Sequence, residues 1–253
     1  MGFLGWFNVV MAVSIGVLIA HWVMELVRLR RFVASQDPLP EDPALCALEL
    51  AGRISNRQHR STDPYYLSPI LAPLGATPSA VLRHGGCCAG TSRLYILCLN
   101  VLRVPANQVT VYHRSGNAQH CLVEIHPPNG RLIADPVYGI YYTDATGRAL
   151  GLEDLQAGVP VTCRFAPGTR QAGYPSNSYY DFDYILTKTA NWTMSWQRRL
   201  AYKVLWSITG GGIDRFRLPV ILEWPQALLG VLLVGVVLLV HGVVAIARLF
   251  GDL

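Results

Sequence analysis

Charge is scarce in this chain. Asp, Glu, Lys and Arg make up 15% of its 253 residues, against about 25% in an ordinary soluble domain, which argues against a simple soluble enzyme. Paired metal-ligand spacing is also missing. None of the six cysteines belongs to a Cys-x-x-Cys pair, so the common zinc and dithiol signatures are excluded. There is no cluster of carboxylates that would suit calcium, no internal repeat and no low-complexity tract. With 51% hydrophobic residues, the chain is neither disordered nor a small disulfide-stapled scaffold.

The net charge of +5 has a definite location. Between Phe32 and Gln197 there are 12 basic and 12 acidic residues; the flanks hold the other 9 basic and 4 acidic ones, and 9 minus 4 is the whole excess. A nucleic-acid binder would carry its basic face on the folded domain, so nucleic acid is not an expected partner. An excess held beside apolar runs is the pattern of a membrane protein.

Two such runs are present. Phe3 to Met24 contains no Asp, Glu, Lys or Arg, and its 22 residues at 1.5 Å each would reach about 33 Å, enough for a hydrocarbon core about 30 Å thick. The basic cluster Arg28, Arg30 and Arg31 follows this run, whereas a cleaved signal would carry its basic residues ahead of it. The second run, Ala227 to Ala247, is introduced by Trp224-Pro225 and interrupted only by His241. His21 and His241 read as neutral imidazoles bonded to a neighbouring helix or lying near the interface. The alternative reading is a buried ligand or proton carrier.

Most of the flanking Lys and Arg lie on the central-domain side of both spans: Arg28, Arg30 and Arg31 after the first, Arg198, Arg199, Lys203, Arg215 and Arg217 before the second. The positive-inside rule therefore predicts a cytoplasmic central domain on an integral membrane protein with two spans. Ser195 to Ile208 sets Trp196, Leu200 and Val204 at helical spacing beside Arg199 and Lys203, the pattern of an interfacial helix lying on the bilayer.

Within the central region a short helix is expected over Pro43 to Asn56. Cys88 to Leu102 is apolar on nearly every side after Arg93, as in a helix buried at the centre of a domain. Two strand-like runs follow, Gln108 to His113 and His120 to His126, joined by the turn-forming Arg114-Ser115-Gly116-Asn117. A second turn leads to a third strand, Arg131 to Ala134, closed by Asp135-Pro136. A buried helix followed by an antiparallel meander defines an α+β fold. Gly173 to Asn191 is rich in Tyr and Asp and reads as aromatic strand at a domain edge, or as the lining of an acceptor groove.

This order supports one kind of chemistry. Cys46, Cys98, Cys121 and Cys163 sit among apolar residues and read as small core side chains. Cys87-Cys88 instead follows His84-Gly85-Gly86 and opens the buried helix, where the helix dipole and free amides favour a thiolate. A nucleophilic cysteine needs a base and a group to orient that base. His120 starts one strand and Asp135 ends the next, so a meander brings them to the same end. His113 and His126 compete by residue type but lack an acidic residue so well placed.

On these residues the chain resembles the transglutaminase-like family of the papain-like cysteine enzyme superfamily. The family core has Gly-x-Cys opening a helix, a Gly-Ile-Pro-Ala-like stretch, His starting a strand and Asp-Pro ending the next. Here these are Gly86-Cys87-Cys88, Arg103-Val104-Pro105-Ala106, His120-Cys121-Leu122-Val123-Glu124 and Asp135-Pro136-Val137-Tyr138-Gly139. Counting back from Pro105 matches Cys88, not Cys87, to the family nucleophile.

The resemblance implies a transglutaminase-like core, placed over residues 32–194; the apolar runs and charges already described flank it with a transmembrane helix and basic flank (1–31), an interfacial segment (195–218) and a second transmembrane helix (219–253). It also implies acyl transfer through a thioester, with Cys88 as nucleophile, His120 as proton carrier and Asp135 as its anchor, and with neither cofactor nor metal. The substrate would be a peptide, amide or other acyl compound. Two departures weigh against protein crosslinking: no Trp occurs between Trp22 and Trp192 to serve the oxyanion as in the animal crosslinking members, and no calcium-binding cluster is visible. Arg103 replaces the usual Gly. A membrane adaptor that keeps the fold to dock a partner protein is the competing expectation.

Overall fold

Two long apolar helices bracket a mixed α+β core in the computed structural model, which describes residues 2–36, 38–57, 74–170, 182–190, 192, 196–217 and 219–251, with backbone alone at 197, 198 and 251. Helix α1 runs Phe3–Ala34 and α7 Pro225–Gly251. Both are long and apolar enough to cross a membrane, and hardly any residue of their most apolar stretches is buried in the protein. They pack antiparallel on each other. Asn8 Oδ1 meets His241 Nε2 at 3.0 Å, His21 Nδ1 meets Gln226 Nε2 at 3.4 Å, and Trp22 and Trp224 pack edge to face. Both histidines therefore engage the neighbouring helix.

The first helix does not stop at Met24, where its charge-free run ends. Glu25, Leu29 and Val33 recur every four residues and are buried, whereas Arg28, Arg30 and Arg31 point outward. One helix thus carries an apolar outer section and a conventional amphipathic section that joins the core.

Between these helices come α2 (Pro43–Ser55), α3 (Pro78–His84) and α4 (Cys88–Val101), then strands β1 (Ala106–His113), β2 (Ala118–Ile125), β3 (Leu132–Asp135) and β4 (Ile140–Thr143). A short α5 (Leu152–Gln156), β5 (Thr162–Phe165), β6 (Phe182–Lys188) and α6 (Trp196–Thr209) complete the region. The six strands form one antiparallel sheet in the order β5-β4-β3-β2-β1-β6. The hairpin β1–β2 matches the sequence expectation to within two residues at each strand end. Of the Tyr- and Asp-rich stretch, only residues 182–190 are described, and 182–188 form edge strand β6.

Helix α4 lies across the sheet, and residues 94–99 are buried all round it. The main core gathers Leu29 and Val33 of α1, Leu50 and Ile54 of α2, Leu94 to Leu99 of α4, and Val123, Ile125 and Ala134 of the sheet. A smaller cluster of Val109, Val111, Leu122, Ile133 and Leu155 forms a second core. Tyr95 donates 2.6 Å to the Ala47 carbonyl, locking α4 to α2. Arg93 pairs with Glu223 at 3.3 Å and donates to the Leu74 carbonyl at 3.0 Å, tying α4 to the turn that leads into α7.

Helix α6 keeps its outer row bare: Trp196, Leu200, Val204 and Ile208 are all at least half exposed, with Arg199 and Lys203 exposed beside them. Its inner side is held by Tyr202, which donates 3.0 Å to Asp214 Oδ1 and also bonds Lys188.

Candidate active site

The route to the Cys88 thiol begins on α1. The buried Glu25 carboxylate accepts from the Ser79 amide at 3.1 Å and from its hydroxyl at 2.6 Å, and Arg28 braces it at 2.8 Å. This fixes the first turn of α3, capped also by Thr77. Helix α3 ends at Gly85, whose φ of 77° suits glycine alone among ordinary residues. The chain reverses there and enters α4 with Cys87 at the N-cap and Cys88 as the first helical residue. The first amide to find an intrahelical partner is that of Thr91, bonded to the Cys87 carbonyl at 2.9 Å. The amides of Cys88, Ala89 and Gly90 therefore precede the helical ladder and put positive potential at the sulfur.

The sheet supplies the other two groups. His120 lies opposite Val111 on the β1–β2 ladder, and Asp135 closes β3 opposite Ile140 on β4. His120 Nε2 is 2.7 Å from Asp135 Oδ2. The second carboxylate oxygen accepts from the amides of Val137 (2.9 Å) and Tyr138 (3.3 Å), so the Asp135-Pro136 turn itself holds the carboxylate in orientation. Both side chains are at most 3% exposed. Cys88 is close enough to His120 to act on the imidazole both by charge and as a hydrogen-bonding group. The imidazole lies parallel to the Phe182 ring at 6.3 Å and tilted against Tyr138 at 5.7 Å.

Burial on its own would push the His120 imidazolium toward deprotonation. The charge of Asp135 and its hydrogen bond, together with the bond and charge of Cys88, outweigh burial and raise the pKa to about 10. The site therefore holds a proton on an enclosed imidazole flanked by two groups that stabilise it.

The competing residues fall elsewhere. His113 Nδ1 bonds Ser115 within the hairpin turn, and His126 Nε2 bonds Asn107 at 2.9 Å beside Glu124. Burial pushes the Cys46 and Cys98 thiols up. Buried Cys121 accepts from Gln108 Nε2 at 3.0 Å. Cys87 is exposed next to the site. No group of three His, Cys, Asp or Glu side chains gathers as a metal site among the described residues.

Three residues of the site escape a reading of the sequence. Ser92, buried one turn after Cys88, donates 3.1 Å to the Cys121 carbonyl and pins the start of α4 to the strand that carries His120. Its hydroxyl, beside that of Thr91 in the first turns of an apolar helix, was the available signal. Tyr138 and Phe182 enclose the imidazole; neither has a signal at the level of motif spacing.

A scan against models of known protein families finds no match, and searches of curated proteins and of solved structures likewise find none.

Proposed function

We propose that this protein is a membrane-anchored cysteine acyl-transfer enzyme of the transglutaminase-like class, acting on an amide or ester of a peptide or other acyl compound. The observation that carries the reading is Cys88 at a helix start beside buried His120, which is itself hydrogen-bonded to Asp135.

In the proposed reaction Cys88 reacts as a thiolate whose proton already rests on His120, and its sulfur attacks the carbonyl carbon. The C–S bond forms as the carbonyl π pair moves to oxygen, where the Cys88 backbone amide at the helix start donates to the oxyanion. When the oxyanion collapses, the bond to the leaving amine or alkoxide breaks and His120 delivers its proton to that group. A thioester on Cys88 remains. Water or an amine, deprotonated by His120, then attacks the thioester and releases the acyl product. Asp135 holds the ring throughout and stabilises the imidazolium without taking its proton.

Arg103 gives the family reading further support. It alone among the described non-glycine residues has a positive φ, 59°, and it stands where the family motif has Gly. The backbone demands of that position are thus those of the motif, although the side chain differs. The two apolar helices support the membrane anchor, and the Lys/Arg distribution supports a cytoplasmic domain.

The test is acylation by an activated acyl ester in detergent. Intact-mass analysis should find one adduct, on Cys88, that moves to added hydroxylamine. An adduct of equal yield in Cys88→Ser protein would overturn the reading.

A second reading rests on the bare row of α6. It makes the domain a docking module for a partner membrane protein. Full cellular function in Cys87→Ala, Cys88→Ala protein, with a co-purifying partner, favours that reading, because no thiol would then remain at the start of α4 to act as nucleophile.

A further inference from the structure

Helix α6 combines an exposed apolar row with charge that the protein does not neutralise. Trp196, Leu200, Val204 and Ile208 recur every four residues and each is at least half exposed. A contiguous bare strip of this kind marks an interaction surface, whereas single exposed apolar residues do not. Arg199 and Lys203, also four residues apart, each stand immediately before a member of the row and are exposed too. The helix carries three Lys/Arg and no Asp or Glu, although residues 32–197 balance 12 basic against 12 acidic residues.

The same two cations line a cavity of about 290 Å³, which they share with Tyr112 of β1, Lys188 of β6, Trp192 and Tyr202. No Asp or Glu lines it among the described residues. Lys188 is paired with Asp214 at 3.1 Å, but Arg199 and Lys203 have no carboxylate partner among the described residues. Two accessible positive charges therefore border both an open cavity and an apolar strip.

A bilayer offers what this edge lacks, an acyl boundary running beside a layer of phosphates, and basic residues on an amphipathic helix favour an anionic leaflet. A protein partner would have to bring an apolar strip and acidic side chains in the same register. The bilayer is also at hand: fifteen residues separate Thr209 from Pro225, where α7 begins, and Phe216 and Ile221 within that joint are exposed as well.

We propose that α6 docks on the anionic face of the bilayer, with the row from Trp196 to Ile208 sunk to the acyl boundary and a phospholipid phosphate held between Arg199 and Lys203 at the cavity. The inference rests on the reading that α1 and α7 cross a membrane, and it is independent of the cysteine chemistry. It gives the bare row of α6 to lipid where the docking-module reading gives it to a protein.

The test follows hydrogen exchange of the α6 amides in the full chain, held in nanodiscs of phosphatidylcholine alone or with about 30% phosphatidylglycerol. Exchange should be at least about tenfold slower with the anionic lipid, as attraction of two basic side chains to an anionic surface implies, and about 0.5 M NaCl should remove most of the difference. Arg199→Gln combined with Lys203→Gln should abolish it, whereas Arg148→Gln, which removes an exposed cation outside α6, should not. Leu200→Gln combined with Val204→Gln should speed exchange in both lipids. All four α6 positions are exposed, so the variants keep the fold, which a thermal melt checks. Equal exchange in the two lipids, or a difference that survives loss of both cations, overturns the proposal. So does equal protection by inorganic phosphate in phosphatidylcholine discs, the result for a free-anion site, and so does a cross-link in native membranes from α6 to another protein. Release of the protein by alkaline carbonate overturns the membrane reading and the docking with it, whereas the other failures leave the membrane reading intact.

Discussion

His120 Nε2 and Asp135 Oδ2 meet at 2.7 Å in a setting where neither side chain is more than 3% exposed. The other oxygen of Asp135 is held by two backbone amides of its own turn. Substitution of the carboxylate by an amide therefore keeps the turn and alters the imidazole. Asp135→Asn should leave the fold intact and lower acyl transfer by about 10⁴-fold, the loss typical of a triad whose aspartate becomes asparagine. Turnover of the acyl ester, read beside a thermal melt, checks this; full activity in a folded variant would contradict the role.

Ser92 links helix and strand through the Cys121 carbonyl at 3.1 Å. Ser92→Ala removes one buried hydrogen bond, and chemical denaturation should show a loss of about 0.5–1.5 kcal/mol. As a positioning residue Ser92 should also affect the geometry of attack. The variant should form the Cys88 adduct more slowly at saturating ester, with the ester concentration for half-maximal rate little changed. A stability loss without any change in that rate would leave Ser92 a structural role only.

The His120 proton gives stability a pH signature. Its pKa rises from 6.5 to about 10 on folding, so between these values the native state binds the proton and the unfolded state does not. Stability from this group is complete below about pH 6.5 and fades as pH climbs toward 10. Denaturation midpoints across that window should fall in the wild type, and the fall should be shallower in His120→Gln. Parallel profiles for the two proteins would show that the proton is not held there.

Arg103 occupies a left-handed backbone position, φ 59°, which costs a non-glycine residue about 1–2 kcal/mol. Arg103→Gly relieves this but frees the unfolded chain by about 0.4–1 kcal/mol, so thermal melts should show neutral to mildly higher stability. Arg103→Val, β-branched at the same φ, should melt lower than wild type. The reverse order would mean that the Arg103 side chain, not the backbone, sets stability there.

The order of the three candidate residues was legible because each sits at an end: Cys88 opens an apolar helix, His120 begins an apolar strand and Asp135 precedes a proline. The hairpin was legible from Gly116-Asn117 between β-branched runs. Strands β4 and β5 were not, for they are four residues long and β5 is largely exposed, so no alternation marks it. The inward turn of α1 past Met24 was hidden by its arginines, which occupy the outer face while Leu29 and Val33 go inside. The bonds of Glu25 to Ser79 and Arg93 to Glu223 span 54 and 130 residues, separations that only the tertiary fold closes.

The most direct test of the account is the rate of iodoacetamide alkylation at each cysteine near neutral pH, read by mass spectrometry in wild-type and His120→Ala protein. Cys88 should be the fastest thiol in the wild type, ahead of its more exposed neighbour Cys87 and of buried Cys46, and should lose that lead when His120 is removed. A Cys88 that reacts no faster than Cys46, or whose rate is indifferent to His120, contradicts the claim that the two form a nucleophile and its base.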